Sequence, residues 1–160
     1  MNNWLYKGTE ITSIDQLPED CVGFVYIITN SANGKIYVGK KILRNKLSKL
    51  LTKKEKAEWN KPGRIPKKKK ETKESNWKDY YGSSKPLLED LKRLGEETFT
   101  REMLKLCYTK KSLTYWETYY QMVLEVLAND TYNENICGRF YRRDLVDPQD
   151  SPELSGGEID

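Results

Sequence analysis

The chain has 160 residues, 37% apolar and 32% charged, with a net charge of +4 and no histidine. This fits one domain with a modest core, and the lack of histidine excludes Ser-His and Cys-His nucleophiles and any imidazole base. Cys21, Cys107 and Cys137 are too few and too far apart for a zinc cluster or a disulfide framework, so they read as small buried hydrophobes.

No apolar run approaches the roughly 18 residues of a membrane span, and the first residues lack a signal-peptide pattern. A soluble, cytosolic chain with no membrane partner is expected. Charge is unevenly spread. Residues 40–78 hold sixteen Lys/Arg against four Glu, and residues 144–160 hold six acids and no base. A positive middle beside an acidic tail points to an anionic polymer as partner.

In chain order, WLYKGTEITS predicts a short strand or hairpin turning near Lys7 and Gly8. Residues 22–28 predict a strand with Phe24, Tyr26 and Ile28 on one face and Val25 and Ile27 on the other. Asn33-Gly34 suits a hairpin turn. Residues 35–39 then return, with Ile36 and Val38 on one face and Tyr37 on the other. The spacing of Leu43, Leu47, Leu50 and Leu51 predicts a helix within 40–60, broken by Pro62 and Gly63. Residues 64–70 read as a basic loop without fixed structure of its own.

Order resumes near Trp77. Ser84 is a helix N-cap, Leu87, Leu88, Leu91 and Leu94 form an apolar stripe, and Gly95 marks the end. Residues 98–107 alternate as a third strand. A second helix is expected over 113–128, burying Trp116, Tyr119, Tyr120, Val123 and Leu127. Residues 132–136 are extended, and the tail after Arg143 is expected to lack order. The division is thus an N-terminal extension (1–21), a domain (22–143) carrying a basic insertion (40–78), and an acidic tail (144–160).

Two tyrosines on one hairpin next to cationic sequence suggest a site that grips and cuts a phosphodiester. Several segments then match a known family in order. They are Val25-Tyr26, Tyr37-Val38-Gly39, Tyr81-Gly82-Ser83-Ser84, the helix ending at Gly95, TFTREMLKL, Tyr115-Trp116-Glu117 and Tyr132-Asn133. Over residues 22–136 the chain resembles the GIY-YIG nucleases, and in particular their phage-type, free-standing homing endonucleases. The resemblance implies an α+β fold, a small three-stranded antiparallel sheet flanked by helices. It also implies a Mg²⁺ (or Mn²⁺) ion held by Glu117. Tyr37 would accept or relay the proton of an attacking water, Tyr26 would orient water or phosphate, and Asn133 would fix the ends of the elements that shape the site.

Each residue also has a plainer reading: strand tyrosines for Tyr26 and Tyr37, a Thr114-x-x-Glu117 capping box, and a turn asparagine for Asn133. Phe24 stands where the family has its first glycine, and Leu47 where it has a helical arginine. Arg44 is the candidate arginine and Arg64 its rival. A histidine that some members carry before the Ser-Ser pair is replaced by Tyr80 or Tyr81, with Tyr81 favoured by its neighbour Gly82. Lys40, Lys41, Arg64, Lys67, Lys68, Lys69 and Lys70 are expected to contact phosphates of double-stranded DNA.

Few residues follow Ile136, too few for a separate DNA-reading domain, so specificity is expected from the insertion 40–78, from a partner, or to be modest. Cutting both strands from one small site needs a homodimer or two successive visits. The alternatives are a catalytically silent DNA-binding module and a structure-selective repair nuclease.

Overall fold

The structure is a computed structural model and describes residues 2–147. Chain order gives β1 (Trp4–Tyr6), β2 (Thr9–Ile11), β3 (Gly23–Asn30), β4 (Ile36–Ile42), β5 (Arg44–Leu50) and α1 (Lys53–Ala57). There follow β6 (Lys68–Glu74), α2 (Lys85–Leu94), β7 (Phe99–Cys107), α3 (Lys110–Val123), β8 (Asn135–Ile136) and β9 (Phe140–Tyr141). Of the tail expected to lack order, residues 148–160 lie outside the described residues, and Arg142–Leu145 form a 3-10 turn. No described helix is long and apolar enough to cross a membrane.

The main sheet has five strands, in the order β2-β1-β7-β3-β4, rather than the three expected. The N-terminal hairpin supplies the additional pair, because β1 joins β7 in parallel while all other pairings in the sheet are antiparallel. Trp4 makes that pairing favourable. It is fully buried against Phe24 and Tyr26, and its Nε1 donates to Trp77 O at 2.7 Å.

Both faces of the sheet are covered, so β3 is buried on each side in turn. One face packs Phe24, Tyr26 and Ile28 with Trp4, Trp77 and Leu87 of α2. The other packs Val25 and Val38 with Leu113 of α3, Val126 and Ile136.

Residues 40–60 are not the helix their leucine spacing suggests. Leu43 enters the core, and β5 pairs antiparallel with β6 from Arg44↔Glu74 to Leu50↔Lys68. Leu47 and Leu50 are exposed, so no apolar stripe is buried to reward a long helix. The helical part shrinks to α1, capped reciprocally by Thr52 and Glu55. The basic stretch expected to be a loop is largely strand β6. Its Lys69 is held by Glu55 of α1 at 2.5 Å and by Glu71 at 2.9 Å, and Glu71 also meets Lys49 of β5 at 3.1 Å. These pairs offset the like-charge repulsion that lysine-rich strands incur.

Helix α3 also departs from expectation at both ends. Thr109 caps it three residues early, its hydroxyl accepting from Ser112 N while Ser112 Oγ accepts from Thr109 N. It stops five residues early, at a left-handed Glu125 (φ 50°). Val126 N then bonds to Gln121 O and Glu125 N to Met122 O, a Schellman ending built without glycine. Tyr119 and Val123 face outward, while Leu113 and Gln121 are buried.

Candidate active site at the free edge of β4

The register of β3 and β4 sets Tyr26 opposite Gly39 and Ile28 opposite Tyr37. Residues opposite one another share a face, so both tyrosines lie on the α2 side, with ring centroids 6.1 Å apart. Two glycines make room for them. A Cβ on Gly39 would sit 2.5 Å from Tyr26 Oη, and one on Gly82 (φ 87°) would sit 2.8 Å from Tyr37 Cε1.

Tyr26 is buried, and burial together with the neighbouring Tyr37 and Tyr80 rings pushes its phenol well above the ordinary value. Tyr37 is half-exposed, and its hydroxyl lies 3.1 Å from Ser83 Oγ. Burial raises its pKa too, with the Ser83 hydrogen bond opposing the shift.

Because β4 is the outermost strand, its free edge opens a route from one face to the other. A cavity of about 340 Å³ occupies that edge, lined by Tyr37, Ser83 and Lys85 from the α2 side and by Glu117 and Gln121 from α3. The segment 132–135 closes it. Asn133 is buried and grips the edge strand as a peptide would. Its Oδ1 accepts from Val38 N at 2.9 Å and its Nδ2 donates to Val38 O at 2.8 Å. Tyr132 N bonds to Ile36 O. These bonds satisfy an edge that would otherwise present unpaired backbone groups, and they hold Tyr37 from both sides.

Glu117 lies in the middle of α3, eight residues after the cap, so it takes no part in a capping box; Thr114 Oγ1 donates instead to Lys110 O. Burial raises the Glu117 pKa above the ordinary carboxylate value, opposed by Lys40, whose Nζ stands 3.8 Å from Oε1. One turn on, Gln121 Nε2 donates to Val38 O at 3.0 Å, which leaves its Oε1 buried and without a partner among the described residues. Carboxylate and amide oxygens are hard donors suited to Mg²⁺ or Mn²⁺, and Mg²⁺ is commonly held by one or two carboxylates with several waters. The described residues form no group of three or more His, Cys, Asp or Glu that could hold a metal. The donor set therefore fits a water-rich ion on a single carboxylate rather than an all-protein cage.

The remaining expected residues fall elsewhere. Arg44 donates to Glu19 O and Cys21 O and lines a separate cavity with Lys46, Thr72, Thr109 and Lys110. Arg64 is exposed in the loop before β6. Tyr81 turns into the core with its ring 4.1 Å from the buried Arg101 guanidinium. Its neighbour Tyr80 instead meets Tyr26 edge-on at 6.1 Å, with Lys41 Nζ 4.0 Å above its ring. Lys40 and Lys41 thus flank the site, while Lys67, Lys68 and Lys70 lie on the insertion.

Lys85 and Gln121 line the cavity without having been singled out from sequence, and Ser83, quoted there only within the matched segment, lines it too. For Lys85 the signal was present, since it is the first residue after the Ser84 cap. The buried position of Gln121 depends on Val38 and could not be read locally.

Residues 4–142 match the family model described as "Putative endonuclease segE, GIY-YIG domain". The chain belongs to the GIY-YIG nuclease family. No curated protein and no solved structure matches it. Membership in the GIY-YIG family makes this a nuclease-type domain whose substrate class is DNA.

Proposed function

We propose that the chain is a divalent-metal-dependent endonuclease hydrolysing phosphodiester bonds of double-stranded DNA, with its reacting groups in the cavity at the edge of β4. The supporting observation is that Tyr37 and Glu117, from opposite faces of one sheet, line the same cavity beside two lysines. Glu117 would hold Mg²⁺ or Mn²⁺; such an ion polarises phosphate and lowers the pKa of a bound water.

Tyr37 then handles a proton. Its phenol, raised above a value of about 10, is neutral near pH 7 and a weak base by itself. It can accept the water's proton as its own passes to Ser83 Oγ, which hands its hydroxyl proton on to solvent. The water oxygen bonds to phosphorus, the bond from phosphorus to the 3′ oxygen breaks, and the departing oxygen takes a proton from solvent. Tyr26 holds the Tyr37 ring, with Tyr80 beside it in the place first given to Tyr81. Lys85, at the start of α2, and Lys40 supply positive charge for the phosphate, a role expected of Arg44 or Arg64.

The test is cleavage of supercoiled plasmid with Mg²⁺ or Mn²⁺. Cleavage should disappear with a chelator and fall by about 10²–10³-fold in Glu117→Gln. A second reading, a silent DNA-binding module, is favoured by Arg44, whose guanidinium is occupied by two backbone carbonyls. Binding without nicking across several divalent metals would support it. The homing-type, phage-encoded role in host cytoplasm, the homodimer and the domain limits 22–143 extend the same resemblance. Comparing linear, supercoiled and branched substrates separates a homing-type enzyme from a repair nuclease.

A further inference from the structure

The β5–β6 ribbon has two unlike faces. Opposed residues share a face, so Asn45, Leu47, Lys49, Lys69, Glu71 and Lys73 lie on one side. There Lys49 and Lys69 are neutralised by Glu71 and Glu55, with α1 lying against them. The opposite side carries Lys46, Ser48, Lys68, Lys70 and Thr72, all exposed, and these three lysines have no ion pair among the described residues. The lysine side is hydroxyl-bearing and cationic along its middle, with Arg44 opposite Glu74 at the base, where Glu74 accepts from Trp77, and the exposed Leu50 beside Lys68 at the far end.

At its base the ribbon is fixed to the active-site strand. Leu43 and Trp77 enter the core, Ser75 N bonds to Leu43 O, and Trp77 Nε1 donates to Glu74. The bare side also leads toward the reacting groups, since Lys46 and Thr72 line a cavity with Lys110 of α3. Lys110, Thr114, Glu117 and Gln121 are spaced four, three and four residues apart, one stripe of that helix. Lys110 stands about 10 Å from Glu117 along the axis.

We infer that the bare face of the β5–β6 ribbon docks in the major groove of the DNA duplex, with Lys46, Lys68 and Lys70 on phosphates and Ser48 and Thr72 on base edges. This rests on the reading of the chain as a DNA endonuclease. The major groove admits a two-stranded ribbon, and hydroxyl side chains reach base edges there. A seven-residue ribbon is about 20 Å long, so its contacts span about six base pairs. Lys69, expected from sequence to touch DNA, is by this inference a structural tie to α1.

The experiment compares Lys46→Gln/Lys70→Gln with Lys49→Gln/Lys73→Gln. Each removes one lysine from each strand and the same charge, but from opposite faces. Both are made in the Glu117→Gln chain, shown folded by thermal unfolding, and titrated with a fluorescein-labelled duplex between about 50 and 200 mM salt. The bare-face pair should lower the logarithmic salt slope by about 2 and weaken binding more than tenfold, the other pair by less than 1. Ser48→Ala/Thr72→Ala should leave the slope unchanged and flatten the preference among a pool of random duplexes.

Equal losses from the two pairs, or a bare-face slope equal to the parent's, overturns the inference. So does an unaltered sequence preference in the hydroxyl variant. Plasmid cleavage by the unsubstituted chain is scored separately. Cleavage with an unaffected slope sinks the ribbon and leaves the nuclease, and a lowered slope without cleavage does the reverse.

Discussion

Asn133 and Gly39 position Tyr37 by opposite means, one by gripping the backbone and one by leaving space. Asn133→Ala strands the buried Val38 N–H, whereas Val38 O keeps Gln121 as a donor. One buried orphan and one lost bond should cost about 2–3 kcal/mol in urea unfolding. Gly39→Ala drives a Cβ into Tyr26 Oη and should cost about 1–3 kcal/mol while displacing both rings.

Glu117 gives a sign to the pH dependence. Its folded pKa is raised by burial, so the protonated form is favoured in the fold, and that favour is lost as pH rises through the raised value. At neutral pH the half-buried carboxylate therefore costs stability. Glu117→Gln should raise stability there by about 0.5–2 kcal/mol while removing cleavage. In the metal-free chain the Glu117 carboxyl should titrate above the ordinary glutamate range, read by NMR. Lys40→Met, which removes the opposing cation, should move that titration to still higher pH.

At the scale of elements, what could be read from sequence was local. The β3–β4 hairpin follows from alternation and Asn33-Gly34, so the shared face of Tyr26 and Tyr37 comes with it. Helix α2 announces itself through Ser84 and Gly95. The β5–β6 ribbon was hidden because leucines three and four apart imitate a helix stripe, and its pairing is settled by ion pairs with Glu55 and Glu71 distant in sequence. Tyr80 and Tyr81 lie outside regular helix or strand, where no periodicity fixes direction; Arg101, far along the chain, decides which one turns inward. The end of α3 was missed because Glu125 takes a left-handed conformation more often given to glycine.

The whole molecule is a helix–sheet–helix arrangement whose chemistry sits at the rim of the sheet, not on a face. The parallel β1–β7 pairing joins segments that no sequence period links and puts the β1–β2 hairpin at one edge of the sheet, with β4 at the other. Groups from both layers meet around the β4 edge. The cavity therefore needs α2, α3 and the 132–135 segment together, and the ribbon extends from the same strand. Nicking of supercoiled plasmid in Mg²⁺ by the unsubstituted chain and by Glu117→Gln, with duplex binding measured alongside, tests this most directly. The expected result is equal binding and at least about a hundredfold loss of nicking in the variant. Equal nicking by the two chains, or no nicking by either in Mg²⁺ or Mn²⁺, would contradict it.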